Sequence, residues 1–497
     1  MRPAPPHLAM VGVFLALFLA SVNQTMVSTA LPSIVADLGG MALYSWVFTA
    51  YMLTSTVSVP ILGKLSDLYG RRGLFLAGIA TFVASSLAAG FAHGMPELIA
   101  LRACQGLGAG AIFPLAFAIV GDLYPPHERG RIQGLIGAAF GASSLIGPLA
   151  GGWLTESFGW AWSFWFSVPV GLLAFVAVAL TLPASRPVPG PIRLDWLGAL
   201  LLVTALTPLL LLASLGGSQL PWNSPLSVAL AIGGLAATMA FWKTEQRAAE
   251  PIIPPALFAN PVMRSIAGAS VMSGIVLFGD TMFLPLLAQG LLALQPTHAG
   301  LLLTPFMLGM VGGSSTSGHW ASRWHRHRPL ALGGLLLATG AALGLLACTW
   351  QASGAAAIAT AVFALGLGLG ATFPVFLLAA QSAVPPSQLG SATALVQFFR
   401  SIGGTFGVAV LGALLVHQFD AGLAAQGAAL GVGGRPDARA ILTPAGLAGL
   451  PPDALAAIQA SLRTALAMVF AAGVLVAGLG AWIALRMPET ARRPDRI

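Results

Sequence analysis

Gly108-Ala-Gly-Ala-Ile-Phe-Pro114 returns 260 residues later as Gly368-Leu-Gly-Ala-Thr-Phe-Pro374. At the same offset Pro125-Pro126, followed by Gly130, returns as Pro385-Pro386, followed by Gly390. Chance agreement across both elements is improbable even in a Gly-rich chain. A third echo has an offset of 255. It sets Gly63-Lys-Leu-Ser-Asp67-Leu-Tyr-Gly-Arg71-Arg72 against Gly318-His-Trp-Ala-Ser-Arg-Trp-His-Arg326-His327, with the Gly-to-Arg spacing kept and the Asp lost. The chain reads as two similar halves laid in the same direction.

Composition says where those halves reside. Only 8% of the 497 residues are charged and 57% are hydrophobic, whereas a soluble domain carries about 25% charged residues. So few charges cannot cover a water-exposed surface, so most of the outside faces lipid. A membrane-spanning helix needs about 20 mostly apolar residues. Fourteen such runs are predicted, among them Leu8–Leu31, Ile132–Leu154, Met263–Leu287, Ala299–Gly318, Ser391–His417 and Thr464–Leu485. The first is too long for the apolar core of a cleaved signal, about 7–15 residues, and is read as a spanning helix.

Fourteen crossings return the chain to its starting side. Eighteen of the 23 Lys and Arg residues fall on that side, Arg2, Lys64, Arg129, Arg186, Arg193, Arg323 and Arg492 among them. Arg435, Arg439 and Arg463 lie opposite, and Arg102 and Arg400 lie inside spans. The positive-inside rule then predicts cytoplasmic termini. The net charge of +8 is scattered between apolar runs and forms no stripe for nucleic acid. The two cysteines, Cys104 and Cys348, sit in or beside apolar segments and read as small buried residues rather than a disulfide framework.

The repeat divides the chain into residues 1–190, a six-helix bundle, and 255–497, a second bundle with an outer loop at 419–463. Residues 191–254 supply two inserted helices. Parallel repeats place a binding site near the midplane at their interface, where rocking of the halves alternates access.

The motifs resemble the major facilitator superfamily, in its fourteen-helix drug:proton antiporter branch. Gly63, Asp67, Gly70, Arg71 and Arg72 look like its loop signature between helices 2 and 3, and Arg102, Gln105 and Gly106 look like its helix 4 motif. Gly147-Pro148-Leu-Ala-Gly151-Gly152 resembles the helix 5 motif of its antiporters. Thr25-Met-Val-Ser-Thr-Ala-Leu31-Pro32, Trp160–Gly171, Asp195-Trp-Leu-Gly198 and Phe399-Arg400-Ser-Ile-Gly403-Gly404 extend the resemblance over nearly the whole chain. It implies a polytopic all-α fold of two six-helix bundles plus two inserted helices. One departure matters: where the family usually has an acidic residue in helix 1, this chain has Asn23.

Asp280 lies about 17 residues into the span that starts near Met263, on the order of 25 Å along at about 1.5 Å per residue. An acid at that depth normally faces a cavity or a partner, and desolvation favours the protonated form of a carboxyl. Asp280 is therefore the expected proton-coupling site, taking over from the missing helix 1 acid. A structural Asp paired with an Arg is the alternative. The expected substrate cavity comprises Asn23, Gln24, Arg102, Gln105, Asp280, Phe283 and Arg400, where a long cation must pair or snorkel. Gly63, Asp67, Gly70, Arg71, Arg72 and Asp122 are expected to form a conformational latch. By resemblance it stabilises the outward-facing state. Gly147, Pro148, Gly151 and Gly152 are expected to let helix 5 pack closely and bend.

These features predict export of small amphiphilic or cationic compounds in exchange for protons. A permease for a specific metabolite and a non-transporting sensor are the alternatives. A Walker loop and a zinc-protease motif are both absent from the sequence, so neither an ATP-driven pump nor an enzyme is expected. No cofactor or metal is expected. The partners are a small-molecule substrate, protons and the lipid bilayer. A monomer is the simplest assembly, and the sequence leaves oligomeric state open.

Overall fold

The computed structural model of the chain describes residues 6–39, 43–183, 195–216, 220–292, 303–324, 326–351, 354–425 and 452–489. Among them run fourteen long helices: α1 Pro6–Leu38, α2 Tyr44–Tyr69, α3 Arg71–Ala89, α4 Met95–Leu123, α5 Pro126–Phe158, α6 Ser167–Thr181 and α7 Trp196–Leu215. The second seven are α8 Pro225–Glu245, α9 Pro261–Gly290, α10 Leu303–Trp324, α11 His327–Trp350, α12 Ala355–Ser382, α13 Leu389–Ala425 and α14 Pro452–Leu485. Among the described residues thirteen spans are long and apolar enough to cross a membrane, the sixth only as Trp162–Thr181 with the short turn before α6, and α10 is the exception. Its Gly312-Gly-Ser-Ser-Thr-Ser-Gly318 stretch dilutes the hydropathy. Gly309, Gly313, Ser314, Ser317 and Gly318 are nevertheless buried, because small residues let helix backbones approach where lipid offers no hydrophobic drive.

The repeated stretch explains itself in the packing. Gly108 and Gly110 lie about 200° apart around a helix of 3.6 residues per turn, so they serve two different neighbours. A methyl group at Gly108 would fall 2.7 Å from the Gly78 carbonyl oxygen of α3, and one at Gly110 would fall 2.8 Å from that of Ser55 on α2. Their counterparts do the same. At Gly368 the nearest obstacles are the Gly334 carbonyl oxygen and the Ala338 nitrogen of α11, both 2.6 Å away, and at Gly370 it is the Met310 carbonyl of α10, 2.3 Å away. Thus α4 is wedged between α2 and α3 as α12 is between α10 and α11. The correspondence continues, with α1 packing on α5 and α6 as α9 packs on α13 and α14. Helices α7 and α8 pack on each other, and α7 also touches α2 and α13.

Two seams join the helices of one group to those of the other: α2 against α13, and α5 against α10. Gly63 leaves only 2.4 Å between an added methyl and the Ala394 side chain, and Gly130 only 2.0 Å to the Gly318 carbonyl. Both contacts lie near the end of the molecule where α1 begins and α14 finishes.

Several helices outrun their predicted spans. Helix α5 covers 126–158 rather than 132–154, while α13 reaches Ala425 and α14 starts at Pro452. The outer loop expected at 419–463 is accordingly helical over 419–425 and 452–463. Hydropathy marks only the part of a helix that matches the hydrocarbon layer, and hydrogen bonding continues past it. The middle of that loop, with Arg435 and Arg439, lies outside the described residues, as do Arg2, Arg186, Arg193 and Arg492. Cys104 is exposed rather than buried, and both cysteines are free. On a membrane helix an apolar neighbourhood marks a lipid-facing side as readily as an interior one.

Candidate functional site

A cavity of about 630 Å³, its mouth included, opens between helices of both groups. Phe113 and Phe117 of α4 and Phe140 of α5 line one side, and Phe278 of α9, Phe373 of α12 and Arg400 of α13 line the other. The Phe117 and Phe373 rings meet across the gap with centroids 5.4 Å apart. Phe113 and Phe373 are equivalent positions of the internal repeat, each preceding the Pro of its copy. The Arg400 guanidinium carbon sits 4.1 Å above the Phe373 ring, and the residue is 3% exposed. Neither Nη1 nor Nη2 of Arg400, nor Oγ of the lining Ser314, has a hydrogen-bond partner among the described residues.

Asp280 is on α9, two residues past the cavity-lining Phe278. Its side chain is fully buried, and both carboxyl oxygens lack a hydrogen-bond partner among the described residues. The space it occupies exists because α14 presents Gly473, where a methyl would come within 2.6 Å of Oδ1. No ion pair joins Asp280 to Arg400 or to any other cation among the described residues.

A cation deep in the first six helices, Arg102, is by contrast largely paired, with only Nη2 lacking a partner among the described residues. Arg102 is fully buried, and its Nη1 donates to Asn23 Oδ1 at 3.0 Å and to Gln105 Oε1. Its Nε donates to the Val47 carbonyl at 3.2 Å, and its guanidinium lies 4.2 Å over the Tyr51 ring. Asn23 Nδ2 donates onward to Ser167 Oγ, and Gln105 Nε2 to Ser86 Oγ. This network ties α1, α2, α3, α4 and α6 together.

Of the seven residues expected in the cavity, the structure brings only Arg400 to its wall. Asn23, Arg102 and Gln105 face one another, Gln24 donates to Met52 Sδ at 3.3 Å, and Phe283 is buried in the second bundle's apolar core. Arg102 could not reach water without breaking three bonds, which is why its polar neighbours gather on it. Sequence reasoning missed the phenylalanine lining. The available signal was the repeat, which carries Phe113 onto Phe373.

At the termini-bearing end, Asp67 reaches from the last turn of α2 to the first turn of α13. Its Oδ1 accepts from Gly390 N at 2.9 Å, and its Oδ2 from Ser391 N and Ser391 Oγ, each at 2.8 Å. A carboxylate suits that place because the first amides of a helix have no partners within it and carry its positive dipole end. Arg71 Nη2 stands 3.4 Å from Asp67, and Arg71 Nε lies 2.5 Å from Asp122 Oδ2. Arg72 Nη2 donates to the Ala179 carbonyl in the last turn of α6 at 2.5 Å. Gly70, at φ +89, makes the turn between α2 and α3, a backbone region that glycine adopts without strain. Above this point Gln133 Nε2 donates to Gln381 Oε1 at 3.2 Å, and Gln381 Nε2 to the Phe117 carbonyl at 3.3 Å, again between the two groups.

On the helix 5 motif, Gly147 would place a methyl 1.8 Å from Thr25 Oγ1, and Gly151 would place one 2.5 Å from Thr29 Oγ1. Pro148 lies within the helix. Gly152 has nothing within 4 Å, so it is not a close-packing position. Residues 147 and 151 share the face toward α1, and 152 is turned about 100° away from it.

Comparison with known proteins fits this frame. Residues 13–408 match the family model described as Major Facilitator Superfamily. The chain belongs to the major facilitator superfamily.

Within the superfamily, it is 37% identical over 409 residues to the multidrug transporter protein MdtP of Bacillus subtilis, covering 82% of this chain and 75% of that one. It is 34% identical over 427 residues to multidrug resistance protein 3 of the same organism, covering 84% and 81%. Among solved structures it superposes on the human organic anion transporter MFSD10 with a TM-score of 0.65, covering 95% and 99% of the two chains. At 17% identity that likeness concerns the fold alone. A major facilitator protein is a membrane transporter rather than an enzyme. Its two bundles, cavity and termini-end seams are the parts that alternating access requires.

Proposed function

We propose that this protein expels small amphiphilic compounds and takes up protons in exchange, by alternating access. One observation carries the reading. A fully buried carboxyl without a partner, Asp280, stands on the helix that forms the wall of an aromatic cavity between the two bundles. An acid so deep in a span normally serves a cavity or a partner, and a proton carried there would reach water as the bundles move. Efflux is supported by the relatives, which carry the names multidrug transporter and multidrug resistance protein. Substrate and proton would compete for the same conformational state, each driving the other's release.

The moving bodies are residues 1–190 and 255–497, with 191–254 travelling beside the α2–α13 seam. Asp67, Arg71, Arg72 and Asp122 act as the latch, with Gly63 and Gly70 allowing its close fit, and closure at that end corresponds to the outward-facing state. The distribution of Lys and Arg supports cytoplasmic termini in the cell membrane.

The test uses proteoliposomes loaded with a pH-sensitive dye and given an imposed pH gradient. An aromatic substrate should move against its own gradient while protons run down theirs. Substrate flux that ignores the pH gradient would overturn the exchange. Asp280→Asn should abolish substrate-driven proton movement while leaving the protein monodisperse, and intact coupling in that variant would remove Asp280 from the mechanism.

A further inference from the structure

Arg400 presents a guanidinium to the cavity with no counter-charge. It is 3% exposed, and Nη1 and Nη2 lack hydrogen-bond partners among the described residues. Among the described residues no carboxylate lies within ion-pairing distance of it, and those lining the cavity include no Asp, Glu, Lys or His. A buried cation is ordinarily paired, because an apolar wall cannot replace its water. Phe373, stacked 4.1 Å from the guanidinium carbon, covers one face of the group. Its in-plane N–H edges are then left to meet a ligand. Ser314 Oγ, also buried and without a partner, adds a second donor to the lining.

We propose that Arg400 is the head-group site of the cavity and that the transported compounds are amphiphilic organic anions: a carboxylate, sulfonate or phosphate on a flat apolar body. This rests on the efflux reading above and names its substrate class. The planar fork of an arginine matches such an oxyanion with two parallel hydrogen bonds. Phe113, Phe117, Phe140 and Phe278 supply apolar and aromatic faces for the body. A cationic compound would instead meet a like charge in a low-dielectric wall. Export of an anion is also favoured by a membrane potential that is negative inside. Proton entry shares that advantage, so both legs of the exchange run with the same field.

Three dansyl probes share one aromatic body and differ in head group: dansyl-taurine with a sulfonate, dansylcholine with a quaternary ammonium, and neutral dansylamide. Binding to the purified full-length chain is read by energy transfer from its 12 tryptophans, and transport is read in proteoliposomes. Dansyl-taurine should bind at least tenfold tighter than dansylcholine. Arg400→Gln should weaken dansyl-taurine at least tenfold more than dansylamide, and Arg400→Lys should recover part of that loss. Dansylamide binding to the variants reports that the cavity is still folded. Preference for the ammonium probe, an equal loss for all three in Arg400→Gln, or binding of none of them would overturn the assignment. Sulfonate transport indifferent to a pH gradient would sink proton exchange and leave the head-group site standing. Gradient-driven transport restricted to the ammonium probe would do the reverse.

Discussion

Gly473 of α14 stands against Asp280 of α9, where a methyl group would lie 2.6 Å from one carboxyl oxygen and 2.7 Å from the other. The buried acid is thus housed by the absence of a side chain on a neighbouring helix. Gly473→Ala should force the carboxyl out of its site or push α14 away from α9. Substrate-coupled proton movement in proteoliposomes should fall at least tenfold, with the purified protein still monodisperse. Undiminished coupling would mean that the acid settles elsewhere without consequence.

Asp67 accepts three hydrogen bonds from the first turn of α13. Asp67→Asn keeps the shape but turns one acceptor into a donor facing the helix amides. Hydrogen bonds to charged groups are worth about 1.5–3 kcal/mol each, so losing even one should shift the balance of closed and open latch by roughly tenfold or more. Spin labels at Tyr69 and Ser387, both exposed, should report a broader and longer distance distribution in the variant. An unchanged distribution would show that Gly63 and Gly130 hold the seams without it.

Arg102 holds Asn23, Gln105 and the Val47 carbonyl. Arg102→Ala strands the buried Asn23 and Gln105 side-chain oxygens, and an unsatisfied buried group costs about 1–3 kcal/mol. The thermal midpoint of detergent-solubilised protein should drop by several degrees or more, and expression should fall with it. Arg102→Lys should recover little, because an ammonium cannot reproduce the spread of a guanidinium over three partners and the Tyr51 ring.

Gly147 and Gly152 separate packing from mere sequence pattern. Gly147→Ala pushes a methyl into Thr25 of α1, whereas Gly152→Ala points into open space. The first should lower transport and stability, and the second should leave both within error. Equal effects would mean that the bend at Pro148, rather than the α1–α5 contact, sets the need for glycine.

Much of the fold was legible because membrane physics writes it in long apolar runs, and the repeat of Gly108–Pro114 at Gly368–Pro374 gave the relation between the halves. The ends of α5, α13 and α14 were not legible, since hydropathy reports lipid thickness and these helices extend beyond it. Arg71 and Asp122, both assigned to the latch from the sequence, meet at 2.5 Å, whereas the cavity wall was largely missed. Polar residues in a span attract attention as ligand groups. Yet Asn23, Arg102 and Gln105 bond one another, with only Nη2 of Arg102 left without a partner among the described residues, and five phenylalanines that no charge marks out form much of the lining. One hydrophobic side chain looks like another in sequence, and only the packing tells a wall facing space from one facing a neighbour. The sign of the proposed head group was equally hidden, because a long cation in a span can pair or snorkel and the sequence alone does not tell which.

Asp67 touches a mobile partner and a resident one. The α13 amides belong to the opposite bundle, while Arg71 lies four residues further along the chain, across the Gly70 turn, 3.4 Å away. In the proposed opening, the carboxylate would forfeit the first and keep the second, so no bare negative charge would be left there. Under that proposal Arg71 is a standby counter-ion that would flatten the energy difference between the two poses. A gate so balanced can swing back as readily as it opens, and a carrier must do both on every cycle.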